Sequence, residues 1–123
     1  MSKIQRLTAR EEEIMEVFWS HGEMFVKDIL KIHPEPKPHF NTLSTIVRGL
    51  EEKGFLSHHS LGNTYQYYAL ISAEEYSSGC LKGVVSKYFK NSALSAVSTL
   101  VKEEDISVED LKKLINLVEQ QKK

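Results

Sequence analysis

The feature that most limits how this chain can fold is a change of hydrophobic period at Lys53-Gly54. Before it, Leu43, Ile46, Val47 and Leu50 recur at i, i+3, i+4 and i+7, the spacing of a half-buried helix. After it the period falls to two. From Thr64 to Leu70, the side chains of Tyr65, Tyr67 and Ala69 take one face and those of Gln66, Tyr68 and Leu70 the other. Gly54 tolerates the left-handed conformation that follows a last helical turn. The spacing therefore predicts a helix from near Phe40, a strand over Phe55 to His59, a turn at Leu61-Gly62-Asn63 and a second strand over Thr64 to Leu70.

Upstream, Thr8-Ala9-Arg10-Glu11 is a capping-box pattern, and Ile14, Met15, Val17, Phe18 and Trp19 follow at helical spacing up to Gly22. A short helix over Phe25 to His33 carries Val26, Ile29 and Leu30 on one side. All three prolines then fall in HPEPKPH, through which no helix continues. Three helices and a hairpin, in that order, predict a winged helix-turn-helix domain over residues 1–72. Residues 73–123 are helical again. Ala73 to about Lys90 carries Tyr76, Cys80, Leu81, Val84, Val85, Tyr88 and Phe89, and Leu94, Val97, Leu100 and Val101 form a second stripe. A cap at Ser107, with Ile106 and Leu111 placed as a hydrophobic staple, opens a third helix bearing Leu114, Ile115 and Val118. These ~50 residues are too few to bury such faces alone. Separate short helices after a complete winged helix favour a symmetric dimer over folding back on the first domain. The predicted class is mainly α with a small β-hairpin: a winged helix-turn-helix domain plus a C-terminal helical dimerisation region.

Charge narrows the function less than pattern does. The chain has 16 Lys and Arg against 17 Asp and Glu, near parity on both sides of residue 72, so no bulk basic signal marks a nucleic-acid binder. No apolar run reaches the ~18–20 residues of a membrane span, and MSKIQRLTAREEE has no secretory core. The lone Cys80 excludes an intramolecular disulfide and suits a reducing cytoplasm; in an apolar stripe it reads as a packed thiol. The expected location is cytoplasmic, with no direct membrane binding. Enzyme signatures are missing: there is no H-E-x-x-H, no Gly-rich phosphate loop and no G-x-S-x-G. Neighbouring strand residues point to opposite faces, so His58 and His59 read as surface histidines and not as a metal pair. The hairpin tyrosines read as cover for the core before they read as base-stacking groups. No catalytic residue, metal or cofactor is expected.

The third helix carries the functional signal. At ~100° per residue, Asn41, Ser44, Thr45 and Arg48 share one ~100° arc opposite Leu43 and Leu50, all in the first half of the helix, and Glu52 joins that arc one turn later. An amide, hydroxyls and a guanidinium can read base edges and phosphates. In helix-turn-helix docking the N-terminal part of the second helix of the motif enters the major groove, so an acid at Glu52 is tolerable where one at Ser44 would repel phosphate. An ordinary polar face is the alternative, and the place of this helix before a hairpin disfavours it.

These residues resemble a known family. LTAREEEIMEVFW resembles its opening, with Leu7, Thr8, Glu11, Ile14, Met15 and Trp19; NTLSTIVRGLEEKGFL resembles its recognition helix, with Thr42, Thr45, Leu50, Lys53 and Gly54; TYQYYALIS resembles its second wing strand; and SALSAVSTLVKEEDISVEDLKKL resembles its dimerisation region. The family is that of the penicillinase and methicillin-resistance repressors, with copper-responsive repressors as a branch. The resemblance implies a homodimer bound to a palindromic double-stranded DNA operator. It also implies, as partner, a membrane metalloprotease sensor that triggers cleavage in the dimerisation region and releases the DNA. The positions matching the scissile bond are Thr99-Leu100, where typical cleaved members have Asn-Phe. A single cysteine departs from the paired Cys-x-Cys motifs of the copper branch. Gly49 stands where the family has an arginine, with Arg48 one position earlier, and the wing turn HHSLGNTY lacks Lys and Arg.

The expected function is a homodimeric DNA-binding repressor reading DNA through Asn41, Thr42, Ser44, Thr45 and Arg48, with Lys27, Asn63 and Thr64 gripping phosphate. Two rival readings stand beside it: a winged-helix module whose third helix binds another protein, and a one-component regulator with a ligand between its C-terminal helices.

Overall fold

The computed structural model describes residues 5–122. Within them the order is α1 (Ala9–His21), α2 (Val26–Ile32), α3 (Phe40–Glu52), β1 (Leu56–Leu61), β2 (Thr64–Ala69), α4 (Ala73–Tyr88), α5 (Ala93–Lys102) and α6 (Val108–Gln121).

Local chemistry places the helix ends. Thr8 Oγ1 accepts from the Glu11 N–H at 3.2 Å while the Glu11 carboxylate accepts from the Thr8 N–H at 2.9 Å, so two otherwise free donors are satisfied at the start of α1. Ser107 and Asp110 do the same for α6, and Ser92 caps α5. Gly22, at φ +84°, turns the chain out of α1, and its N–H donates to Phe18 O. The fourth helix ends two residues earlier than its composition suggests: Lys90 and Asn91 both have positive φ, and the Asn91 N–H donates back to Val85 O at 3.1 Å. Asparagine adopts this conformation more readily than most residues.

The hairpin differs slightly from its sequence outline. β1 starts at Leu56 and runs to Leu61, which pairs with Thr64, so the turn is the two residues Gly62 and Asn63. Gly62, at φ +62°, permits that tightness, and a two-residue turn keeps the right-handed twist of the strands. Met24 adds a short bridge to Tyr67 on β2 through reciprocal backbone bonds of 2.9 and 2.8 Å.

The core joins all these pieces. Ile14, Met15 and Phe18 from α1, Ile29 from α2, Leu43, Val47 and Leu50 from α3, and Phe55, Leu56 and Tyr67 from the hairpin are buried together. The chain divides into two compact units, Met1–Cys80 and Leu81–Lys123, with the division inside α4. The first unit reaches past the hairpin because Tyr76 is buried in its core and Cys80 packs against that core. The Tyr76 hydroxyl accepts from the Leu7 N–H and donates to Glu12, while Trp19 Nε1 donates to Ile71 O at 2.8 Å.

The second unit is different in kind. Among the described residues, no side chain after Tyr76 is fully buried. Leu81 on α4, Leu94 on α5, and Leu114, Ile115 and Val118 on α6 are all exposed apolar groups. Leu111, Leu114, Ile115 and Val118 line a shallow apolar groove along α6.

Candidate nucleic-acid interface

Burial of one side of α3 fixes what the other side presents. Leu43, Val47 and Leu50 are wholly inaccessible to solvent, which pins the rotation of the helix about its axis. Asn41, Thr42, Thr45 and Arg48 are then exposed, and Ser44 is half-buried at the edge of the same face. Two bonds run along the helix: Thr45 Oγ1 donates to Asn41 O at 2.9 Å, and Arg48 Nε donates to Ser44 O at 3.4 Å. Among the described residues, Nε is the one guanidinium nitrogen of Arg48 with a partner inside the protein.

Among the described helices, α3 alone starts with neither an acid in its first turn nor a capping side chain; α5 also lacks the acid but is capped by Ser92. The first turns of α1, α4 and α6 each carry two acidic side chains, which complement the positive end of the helix dipole. The first turn of α3 carries none, and its N-cap residue, His39, makes no side-chain capping bond. Free N–H groups and an uncompensated dipole at that end suit an anion such as a phosphate.

The opposite end of α3 is tied down. Lys53 Nζ donates to Glu11 Oε2 at 2.6 Å, joining the end of α3 to the first turn of α1. Burial pushes the Glu11 carboxyl up, but the bonds from Lys53 and Thr8 outweigh it and hold Glu11 below the usual carboxylate value. Glu51 Oε2 meets His58 Nδ1 at 2.7 Å, so one acid of α3 is engaged with the wing. Burial, with the Glu51 charge nearby, raises the Tyr67 phenol above its ordinary value. Glu52 stays exposed.

The remaining sequence-predicted residues are on other elements. Lys27 is exposed on α2, with its ammonium 5.8 Å from the Phe25 ring. Asn63 and Thr64 are exposed at the hairpin tip, where Thr64 Oγ1 donates to Leu61 O. Among the described residues no hydrogen bond or ion pair joins these three to the α3 set. The candidate site is thus one helix face with two outlying patches.

Behind the tip, the hairpin is stiffened by rings instead of charges. His58 stacks on Tyr65 with centroids 4.1 Å apart, and His59 stacks on Tyr68 at 4.6 Å. His59 also lies 3.5 Å from Glu23. Of the three hairpin tyrosines only Tyr67 is core; Tyr65 is half exposed. Among the described residues, no three metal-ligating side chains converge. No helix among them is long and apolar enough to cross a membrane.

Thr99 and Leu100 lie near the end of α5, both exposed, with Thr99 Oγ1 donating to Ser95 O at 3.1 Å. Their carbonyls accept from the Glu103 and Asp105 N–H groups at 3.1 and 2.9 Å, so that peptide bond lies in hydrogen-bonded helix.

Three contributors escaped the sequence reading. HPEPKPH reads as a helix breaker, yet it also supplies Lys37, which precedes α3 in the chain and whose Nζ donates to Lys31 O at 3.2 Å. The uncapped start of α3 was visible in the lack of Ser, Thr, Asp or Asn at position 39. Phe40, half exposed at the first helical position, reads in the sequence only as a helix boundary.

The model of the penicillinase repressor family matches residues 7–120. A penicillinase repressor of Bacillus licheniformis is 24% identical over 127 residues, covering 99% of this chain and 96% of its own. The methicillin resistance regulatory protein MecI of Staphylococcus aureus (strain N315) is 24% identical over 118 residues, covering 95% and 96%. The MecI of Staphylococcus epidermidis matches to the same extent.

Proposed function

The chain belongs to the penicillinase repressor family, so it is a DNA-binding repressor of transcription, and we propose that it acts as a homodimer on a palindromic operator, released when a signal triggers cleavage of its C-terminal region. The first half of α3 carries this reading: an acid-free, uncapped helix start followed by exposed Asn41, Thr42, Thr45 and Arg48, with Ser44 at the edge. In this role Asn41, Ser44 and Thr45 meet base edges in the major groove, while Arg48, Lys27, Asn63 and Thr64 hold phosphates. Near-neutral overall charge does not oppose it, because the acids closest to the face are engaged or distant. Glu51 is paired with His58, and Glu52 lies at the helix end that lifts away from the groove.

The dimer is supported by the second unit. Exposed leucines, isoleucine and valines on α5 and α6, with no fully buried side chain among its described residues, are the apolar surface that a second copy would cover. A twofold dimer places two α3 helices on one duplex, about one helical turn or a multiple apart. Release by cleavage at Thr99-Leu100 would separate α6 from the DNA-binding unit. Because that bond lies in helix, the last turn of α5 must unwind before a protease can grip it as an extended segment. The signal would come through a membrane metalloprotease sensor, with the repressor itself cytoplasmic.

The test is enrichment of duplexes from a random pool by the full-length chain. The expected product is an inverted repeat bound by two protomers, with affinity falling steeply as salt rises. Recovery of no sequence above random, or binding indifferent to salt, overturns the reading.

A further inference from the structure

We propose that Phe40 is a specificity-determining residue that reads the C5-methyl group of a thymine in each half-site; this rests on the DNA-binding role of α3 given above. Phe40 is 49% exposed, on the first residue of α3. The other aromatic side chains of the first unit are accounted for. Phe18, Phe55, Tyr67 and Tyr76 are core, Trp19 packs against it, and Tyr65 and Tyr68 are covered by histidines. Phe25 is half-buried beneath Lys27. Among the described residues of that unit, Phe40 alone is exposed without a ring or cation against it.

Its position on the helix gives the ring a direction. Residues four apart form a ridge, so Phe40 heads the row Phe40–Ser44–Arg48 along one edge of the polar face. The bond from Arg48 Nε to Ser44 O lies along that row. The ring therefore stands one turn ahead of Ser44, at the end of α3 that enters the groove deepest. The major groove offers few apolar marks, and among the four bases its methyl group is that of thymine. A phenyl ring can read that methyl and gains nothing from the carbonyl and amino groups around it. Asn41, next in the chain, supplies the hydrogen-bonding complement. Phe40 would then favour one base pair by apolar contact alone, at a position where polar readout adds little.

The experiment replaces single thymines of an enriched duplex with deoxyuridine, which removes the methyl and keeps every hydrogen-bonding group. Affinities of wild-type, Phe40→Ala and Phe40→Leu full-length chains are then compared. At one thymine per half-site, deoxyuridine should weaken wild-type binding about fourfold, the worth of one buried methyl. Phe40→Ala should bind the two duplexes equally at that position and respond like wild type elsewhere, and Phe40→Leu should keep part of the discrimination. Because Phe40 is outside the core, these variants should retain wild-type circular dichroism. The proposal is overturned if no thymine responds in the wild type, or if Phe40→Ala retains the full response. Failure to enrich any duplex removes the DNA-binding reading itself, a distinct result.

Discussion

The hydroxyl of Tyr76 sits between the Leu7 N–H, from which it accepts at 2.9 Å, and Glu12 Oε2, to which it donates at 2.6 Å. One side chain at the start of α4 thus satisfies a buried backbone donor at the entry to α1, and its ring packs beside Trp19 and Phe55. Burial and the bond to Glu12 push the phenol far above its usual value, so it remains a neutral donor throughout the physiological range.

Tyr76→Phe keeps the ring and removes both bonds. Leaving the buried Leu7 N–H without a partner should cost about 1–3 kcal/mol. The single tryptophan, Trp19, lies 5.8 Å from the Tyr76 ring and reports the change in a urea titration followed by fluorescence. An unchanged midpoint would show that the hydroxyl contributes nothing to the first unit.

Glu11→Gln separates two roles of one residue. Glutamine preserves the capping box with Thr8 but cannot pair with Lys53. At neutral pH the variant should be less stable by about 1–2 kcal/mol. The folded carboxyl is held below its ordinary value of 4.5, so this contribution is complete above that value and fades as pH falls through the lowered one. Wild type and variant should therefore converge in acid, and a constant gap from neutral to acidic pH would contradict the pairing.

Gly49→Ala should stabilise the protein by about 0.5–1 kcal/mol, since a methyl there meets nothing within 4 Å and glycine is costly inside a helix. Thermal unfolding measures it. Operator affinity should stay within twofold, because Gly49 lies off the arc of Asn41, Thr45 and Arg48.

Ending the chain after Thr99 imitates cleavage. The product loses α6 and should sediment as a monomer, with operator affinity reduced at least ~100-fold by the loss of bivalent binding. A truncated chain that remains dimeric would place the interface elsewhere.

What the sequence revealed depended on how local the cause was. The caps at Thr8 and Ser107, the stop at Gly54 and the stripe of Leu43, Val47 and Leu50 are set within a few residues, and each was readable. The extension of β1 to Leu61 was not, because it depends on Gly62 closing a two-residue turn instead of a longer loop. Tyr76 read as one member of an apolar stripe, while its partners Leu7 and Glu12 lie more than sixty residues away. The polar arc of α3 was legible as a helix face. The pairing of Glu51 with His58, which removes an acid from its neighbourhood, required the fold.

The central claim, that the outer face of α3 grips DNA, is tested most directly by the salt dependence of binding for wild type and Arg48→Ala on an enriched duplex. A lost phosphate contact should lower affinity and reduce the slope of log K against log salt by about one unit. Identical affinity and identical slope in the two proteins would contradict the account.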